Sequence, residues 1–199
     1  MLSIKLKDIE FKSPILTASG TYGYGNEVSN LVDVTQLGGI VTKSVTLNPR
    51  EGNKPPRINE TPSGMLNSIG LANVGVGEYC KEKLPYLNDL DTNIIINIAG
   101  SSIDNYIQVL EKLESENGKQ VGYEINISCP NVKDGMEFAV SSKLTESLTK
   151  ELRSRTNRLL IIKLSPNVTK ITDTAIAAEQ GGADAVSAIN TVVGMGINI

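Results

Sequence analysis

Residues 125–132 read I-N-I-S-C-P-N-V. An apolar run with strand character leads into Cys129, and Pro130 behind it cannot continue a hydrogen-bonded ladder. One thiol and two amides, Asn126 and Asn131, therefore stand at the end of a strand and in the loop after it. Parallel α/β folds carry their chemistry at that place. The chain has no histidine, so a cysteine is the side chain best suited to move a proton near neutral pH.

Working outward, apolar strand patterns recur at 14–18, 39–42, 93–98, 121–127, 159–164 and 185–189. Helical patterns occupy 27–37, 74–87, 103–117, 142–156 and 168–181, and a small period-two hairpin opens the chain over 3–11. Apolar runs without alternation imply strands buried on both faces, hence a parallel sheet. Regular β-α alternation then gives an α/β fold, either doubly wound or a TIM (β/α)8 barrel. Polar or reactive residues follow six strands: Ser19-Gly20, Lys43-Ser44, Asn97, Asn126 with Cys129, Lys163, and Asn190-Thr191. Six strands donating to one rim is the barrel arrangement. The glycine-rich S-G-T-Y-G-Y-G from Ser19 is not the G-x-G-x-x-G of a dinucleotide-binding unit, which also favours the barrel.

A full barrel takes about 250 residues, and only about six of the eight strand-helix units are legible here. The expectation is one (β/α) barrel domain over 1–199, the N-terminal part of a longer chain; a six-strand open sheet is the alternative. A six-strand remnant would leave parallel edges unpaired, which invites association.

Composition narrows the function classes. The chain has 199 residues, 40% hydrophobic and 21% charged, enough for one sizeable core. Net charge is −3 with acidic and basic residues mixed, and no basic stripe points to nucleic acid. No apolar run approaches the roughly 20 residues of a membrane span, and the alternating N-terminus lacks a signal-peptide core. Cys80 and Cys129 sit in different contexts and suggest neither a disulfide framework nor a metal site. A reducing cytoplasm is the default compartment.

Lys43 ends the run G-G-I-V-T-K and either reaches solvent or meets an anion at the rim. Residues 54–73 form a long Pro- and Gly-containing stretch of the kind that serves as a lid or binding loop, or as a structural Ω-loop. Within it N-S-I-G-L, 67–71, offers a side-chain amide and several backbone groups to a planar polar ligand. Lys163 in I-I-K-L-S-P places a second cation in the mouth, able to stabilise charge on a reduced cofactor. Asn190-Thr191 either donate to a ring carbonyl or cap a turn. Cys80, on a helical pattern, is assigned to packing.

Taken together these stretches resemble the class 1 dihydroorotate dehydrogenases. The resemblance runs through S-G-T-Y-G-Y-G, V-T-K-S, N-P-R-E-G-N-K-P-P-R, E-T-P-S-G-M-L-N-S-I-G-L-A-N, N-I-A-G-S, I-N-I-S-C-P-N-V-K, I-K-L-S-P-N and A-I-N-T, in that order. The cysteine in S-C-P-N marks class 1, since membrane-associated class 2 enzymes use serine there. N-P-R-E-G-N-K-P-P-R and S-C-P-N-V-K are similar to subclass B, the NAD-linked form, more than to the fumarate-linked subclass A.

The resemblance implies a flavin enzyme of pyrimidine synthesis that oxidises dihydroorotate to orotate. Cys129 would be the catalytic base. Lys43, Asn67, Ser68, Ile69, Gly70, Leu71, Asn126, Asn131, Asn190 and Thr191 match positions that hold substrate. Ser19, Lys43, Ser44, Asn97, Asn126, Lys163 and Ile189 match positions on FMN. It further implies a second subunit with FAD and an iron–sulfur cluster that passes electrons to NAD, and a homodimer within a heterotetramer. The family pattern departs after the cysteine: D-G-M-E-F-A stands where a more glycine-rich K-x-G-G-x-x-F-G is expected in the lid loop. Six units alone are expected to bind FMN weakly or not at all, because the last strands of such barrels hold the flavin phosphate. The alternatives are a fumarate-linked enzyme, a dihydropyrimidine dehydrogenase-like flavin domain and a catalytically inactive fragment.

Overall fold

In the computed structural model, which describes residues 2–128 and 138–197, the chain opens with the expected hairpin, β1 (Ile4–Leu6) and β2 (Ile9–Phe11). Its turn residue Lys7 adopts φ 55° and sends Nζ to Asp184 Oδ1 at 3.1 Å and to the Asn157 carbonyl at 3.0 Å. Asp184 also takes Arg153 Nη1 at 2.8 Å, so the hairpin is tied to the far side of the fold by a shared carboxylate.

The strand β3 (Gly39–Val41) begins a parallel sheet. Next comes an antiparallel hairpin, β4 (Ile58–Thr61) with β5 (Gly64–Asn67), inside the stretch expected to be a loop. The segments on either side of the turn T-P-S-G pair as a hairpin there, so the expectation that 54–73 is all loop is corrected to a hairpin with irregular flanks. A continuous helical rod follows, α1 (Gly75–Glu78), a π turn (Tyr79–Lys83) and α2 (Leu84–Asn88), matching the helical pattern at 74–87. Cys80 packs half-buried against the main core, as its helical position implied.

Then strands and helices alternate: β6 (Asn93–Ala99), α3 (Ile103–Ser115), β7 (Gly122–Asn126), α4 (Ser142–Arg153), β8 (Leu159–Lys163), α5 (Ile171–Gln180) and β9 (Ala185–Ser187). The side chains of Ser102 and Ser141 cap α3 and α4 by accepting the N–H of Asn105 and Leu144. α3 buries Tyr106, Val109, Leu110 and Leu113, and α4 buries Thr145, Leu148, Thr149 and Leu152. Both sets follow the i, i+3, i+4, i+7 stripe that a helix lays on a sheet.

The parallel order β3-β6-β7-β8-β9 gives a curled half-barrel with helices outside. This is part of a TIM barrel, as expected. Two expectations are corrected. The candidate strand at 14–18 is reduced to one parallel bridge, Leu16 to Gly39. The helix expected over 27–37 is two short 3-10 turns, Asn26–Val28 and Val34–Gln36. Asp33 explains the second: its side chain takes the Thr35 N–H and hydroxyl and starts a turn rather than continuing one.

Side chains alternate across the strands with period two. Ile40, Ile94, Ile96, Ile98, Tyr123, Ile125, Leu160 and Ile162 point outward into the main core beneath the helices. Val41, Ile95, Leu159 and Ile161 point inward and pack on Phe11 of the hairpin, which plugs the N-terminal end of the half-barrel. No helix among the described residues is long and apolar enough to cross a membrane.

Candidate functional site

The same inward alternation changes character toward the C-terminal ends of the strands. After Ile95 comes Asn97, after Gly122 come Glu124 and Asn126, after Ile161 comes Lys163, and after Ala185 comes Ser187. The ladder register sets Asn97 beside Glu124, Asn126 beside Lys163 and Lys163 beside Ser187. A polar layer thus sits directly above the apolar one.

Glu124 organises this layer. It is buried, with Asn97 Nδ2 donating to Oε1 at 2.6 Å and Ser187 Oγ donating to Oε2 at 2.8 Å. Lys163 Nζ lies 3.7 Å from Oε1, and both side chains are nearly enclosed. A carboxylate only accepts, so the Asn97 amide must present its nitrogen to Glu124. Asn97 Oδ1 is then left buried with no hydrogen-bond partner among the described residues. Ser128 Oγ, at the end of the same strand segment as Asn126, is a second such atom.

Above this layer Asn126 and Asn190 meet. Asn190 Nδ2 donates to Asn126 Oδ1 at 2.8 Å, and Asn190 Oδ1 accepts the Thr191 N–H at 2.8 Å. Asn126 Oδ1 also takes the Ser128 N–H. The buried ring of Tyr106 on α3 donates its hydroxyl to the Asn126 carbonyl at 2.7 Å and packs edge-on against Phe138, which pins the strand end. Thr191 is exposed, with its carbonyl held by Asn167 Nδ2, and Ile189 is 47% exposed beside it.

Lys43 lies two residues past β3, half-buried, its N–H bonded to the Gly23 carbonyl. Burial lowers its ammonium pKa below the ordinary value; the Glu27 carboxylate opposes that shift and Arg57 adds to it. It has no ion pair among the described residues. Ser44 beside it is buried, and Ser19 sits half-buried in the turn before Gly20.

The 67–71 loop leaves the β4–β5 hairpin with Asn67 and Ser68 exposed and Ile69, Gly70 and Leu71 half-buried. Gly70 and Leu71 both have positive φ, 73° and 58°. A Cβ on Gly70 would lie 2.7 Å from the Asn53 nitrogen, so only glycine fits this close approach. Asn53 N–H and Nδ2 hold the Ile69 and Ser68 carbonyls, and Asn73 braces the far end by bonding Thr46, Leu71 and Gly75. Leu66 of β5 lies against Gly194 and Gly196. The hairpin therefore reaches from the β3 side across the mouth to the segment after β9.

The structure brings Asn97 and Lys163 together through Glu124, and Asn126 with Asn190 and Thr191. No hydrogen bond joins Lys43, Ser19, Ser44 or the 67–71 loop to either group among the described residues. Cys129 and Asn131 lie outside the described residues, as do Asp134, Gly135, Met136 and Glu137 of the departure after them; its last two residues, Phe138 and Ala139, are described and buried. Sequence reading missed Glu124 and Ser187. Their signal was available: Glu124 is in phase with Asn126, two residues earlier, but treating 121–127 as a strand buried on both apolar faces hid it. Among the described residues no cluster of acidic or thiol groups could hold a metal ion.

A family model described as dihydroorotate dehydrogenase matches residues 1–199. Relatives named dihydroorotate dehydrogenase B (NAD(+)), catalytic subunit, include one from Bacteroides thetaiotaomicron, 48% identical over 198 residues and covering 99% of this chain and 65% of that protein. Another from Thermoanaerobacter pseudethanolicus is 48% identical over 199 residues, covering 100% of this chain and 65% of that protein. The chain thus spans about 65% of the length of the curated relatives it matches. A crystal structure of DHODH in complex with ferulenol from Eimeria tenella superposes with a TM-score of 0.74 at 20% identity, over 98% of this chain and 61% of that one. At that identity the likeness is one of fold, and it agrees with the half-barrel. With the family model matched from end to end and close relatives sharing nearly half of its residues, the chain belongs to the dihydroorotate dehydrogenase family.

Proposed function

We propose that this chain carries the flavin half-reaction of an NAD-linked dihydroorotate dehydrogenase, oxidising dihydroorotate to orotate in pyrimidine synthesis. The observation that carries the reading is the polar layer of Asn97, Glu124 and Lys163 beneath the Asn126–Asn190 pair. It offers a buried acceptor, a cation and amides within one concave face. The relatives, NAD(+)-linked dihydroorotate dehydrogenase catalytic subunits, suggest the substrate and the acceptor.

FMN fits the residues present. Its ring carries an imide N–H and carbonyl oxygens on one edge; the partnerless Asn97 Oδ1 suits such a donor and Lys163 suits such an acceptor. Ser19, Lys43, Ser44, Asn126 and Ile189 would complete its contacts. When bound, FMN supplies the hydride acceptor that no side chain can be. Lys163 would then stabilise negative charge on the reduced ring.

Dihydroorotate is a small anion with imide-like edges. Asn126, Asn190 and Thr191 would offer amide and hydroxyl groups to those edges, Asn131 joins them by its match to the family's substrate-holding positions, and Lys43 with 67–71 would receive the carboxylate. The Lys43 ammonium, already desolvated, gains more from an anion than an exposed lysine would. Cys129 as thiolate takes the proton from ring carbon C5 while C6 gives up its hydride, and the C5–C6 double bond forms. That role for Cys129 rests on the S-C-P-N motif. Electrons leave through a partner subunit with FAD and an iron–sulfur cluster, the whole a cytoplasmic heterotetramer built on a homodimer.

The test is the visible spectrum of the full-length protein. A flavin band that bleaches anaerobically on adding dihydroorotate is expected, with NADH formed only when the partner subunit is present. A protein that takes up no FMN, or whose flavin ignores dihydroorotate, overturns the reading. Turnover with fumarate in place of NAD would move it to the other subclass.

A further inference from the structure

We propose that Glu124 is a positioning residue that sets the polarity and charge of the flavin-facing layer: it turns the Asn97 amide so that its oxygen faces the ligand, and it counterbalances Lys163. The inference rests on the reading that this site takes FMN and adds a role for a residue that does not itself touch the ring.

The geometry supports it in three ways. First, Glu124 is held from three different strands: it accepts hydrogen bonds from Asn97 on β6 at 2.6 Å and Ser187 on β9 at 2.8 Å, and pairs by charge alone with Lys163 on β8 at 3.7 Å. The carboxylate is therefore held in one orientation and holds its neighbours in turn. Second, a buried amide between two acceptors and donors could sit either way round; the carboxylate removes that freedom, because it has no hydrogen to give. The result is a buried Asn97 Oδ1 with no hydrogen-bond partner among the described residues, an acceptor open to a ligand's donor. Third, 3.7 Å is longer than a hydrogen bond, so the Lys163 ammonium faces the opposite charge of Glu124 without spending a donor on it.

The charge argument has a sign. A negative carboxylate near the flavin disfavours the electron-rich reduced ring. Removing that charge raises the midpoint potential, and leaving it less screened lowers the potential.

The experiment compares full-length wild type, E124Q, E124D and S187A, each reconstituted with FMN. It reads the two-electron midpoint potential by spectroelectrochemistry, FMN affinity by fluorescence quenching, and thermal unfolding of the flavin-free protein. E124Q is expected to raise the potential by about 30 mV, a tenfold change in the two-electron equilibrium, and to weaken FMN about tenfold as Asn97 loses its fixed orientation. E124D keeps the charge and is expected to stay near the wild-type potential. S187A withdraws a donor from the carboxylate and is expected to shift the potential the opposite way, downward.

An E124Q protein that folds and binds FMN at an unchanged or lowered potential overturns the proposal, even if its affinity falls. Should E124Q not fold, S187A decides: a potential equal to wild type overturns the proposal and a lower one supports it. Wild type that binds no FMN overturns the functional reading and this inference with it, an outcome separate from any variant effect.

Discussion

The two halves of the inner sheet face are made by the same strands, a few residues apart, and they could hardly differ more. The N-terminal half is Val41, Ile95, Leu159 and Ile161 closed over Phe11, with the partly buried Leu6 and Ile9 of the hairpin packed against it. The C-terminal half is Asn97, Glu124, Lys163 and Ser187, capped by Asn126 and Asn190. One step of two residues along each strand separates them. The lower layer is satisfied by contact alone and does not depend on any ligand. The upper layer satisfies most of its polar atoms internally but leaves Asn97 Oδ1 without a partner among the described residues. Stability and binding are therefore divided along the strand axis, which is why a barrel can change its chemistry at one end without rebuilding the other.

The largest effect should come from breaking the lower layer. Phe11 is 2% exposed and is the large side chain by which the hairpin closes the half-barrel. Phe11→Ala removes that contact and leaves a cavity, at a cost of about 3–5 kcal/mol. Urea unfolding followed by far-UV circular dichroism should show the unfolding free energy fall by that amount. FMN affinity, measured well below the new midpoint, should stay within a few-fold of wild type. A flavin affinity that collapses together with stability would mean that the two layers are not separable.

Asn97→Ala makes the converse cut. It removes the partnerless acceptor and also takes a donor from Glu124 Oε1, which keeps only the Lys163 charge at 3.7 Å. Leaving a buried acceptor short of a donor costs about 1–3 kcal/mol, so stability should fall by less than in Phe11→Ala. FMN affinity should drop tenfold or more, each tenfold being about 1.4 kcal/mol. Fluorescence titration and urea unfolding on the same preparation check both. Unaltered flavin affinity would remove Asn97 from the site.

How much of this division was legible beforehand depends on which physical signal carried each part. The strands were legible because their outward faces are unbroken apolar residues, isoleucine and leucine with Tyr123, and the helices because Tyr106, Val109, Leu110 and Leu113 keep a helical period. Asn97 and Lys163 were legible because a polar residue inside such a run is conspicuous. Glu124 was not, since Y-E-I-N reads equally as the end of a two-sided apolar strand; only the register that puts it beside Asn97 reveals its role. The hairpin at 58–67 was hidden by Pro and Gly, which punctuate hairpins and loops alike. The failed helix at 27–37 shows the opposite error, where a tolerable apolar spacing was overridden by the Asp33 side chain competing for backbone N–H groups.

The two lysines sharpen the comparison at its smallest scale. Lys163 is nearly enclosed and faces Glu124, whereas Lys43 is half-buried and forms no ion pair among the described residues. Burial disfavours the charged form of Lys43 and lowers its pKa in the folded protein. Between that lowered value and the ordinary value of 10.5, the unfolded chain binds more protons than the folded one, so stability from this group rises with pH across the window. Below the window the folded state carries the full burden of a desolvated ammonium. Lys43→Met should therefore give a small increase in thermal midpoint at pH 7, and the increase should shrink as the pH approaches 10.5. The same change should raise the KM for dihydroorotate strongly, because the anion that would have relieved the burden no longer meets a cation. Paired melting curves at the two pH values, with KM measured at pH 7, check both halves. A gain in stability that does not depend on pH would point to packing by the methionine rather than to relief of a buried charge. A KM left unchanged would place the substrate carboxylate elsewhere on the rim.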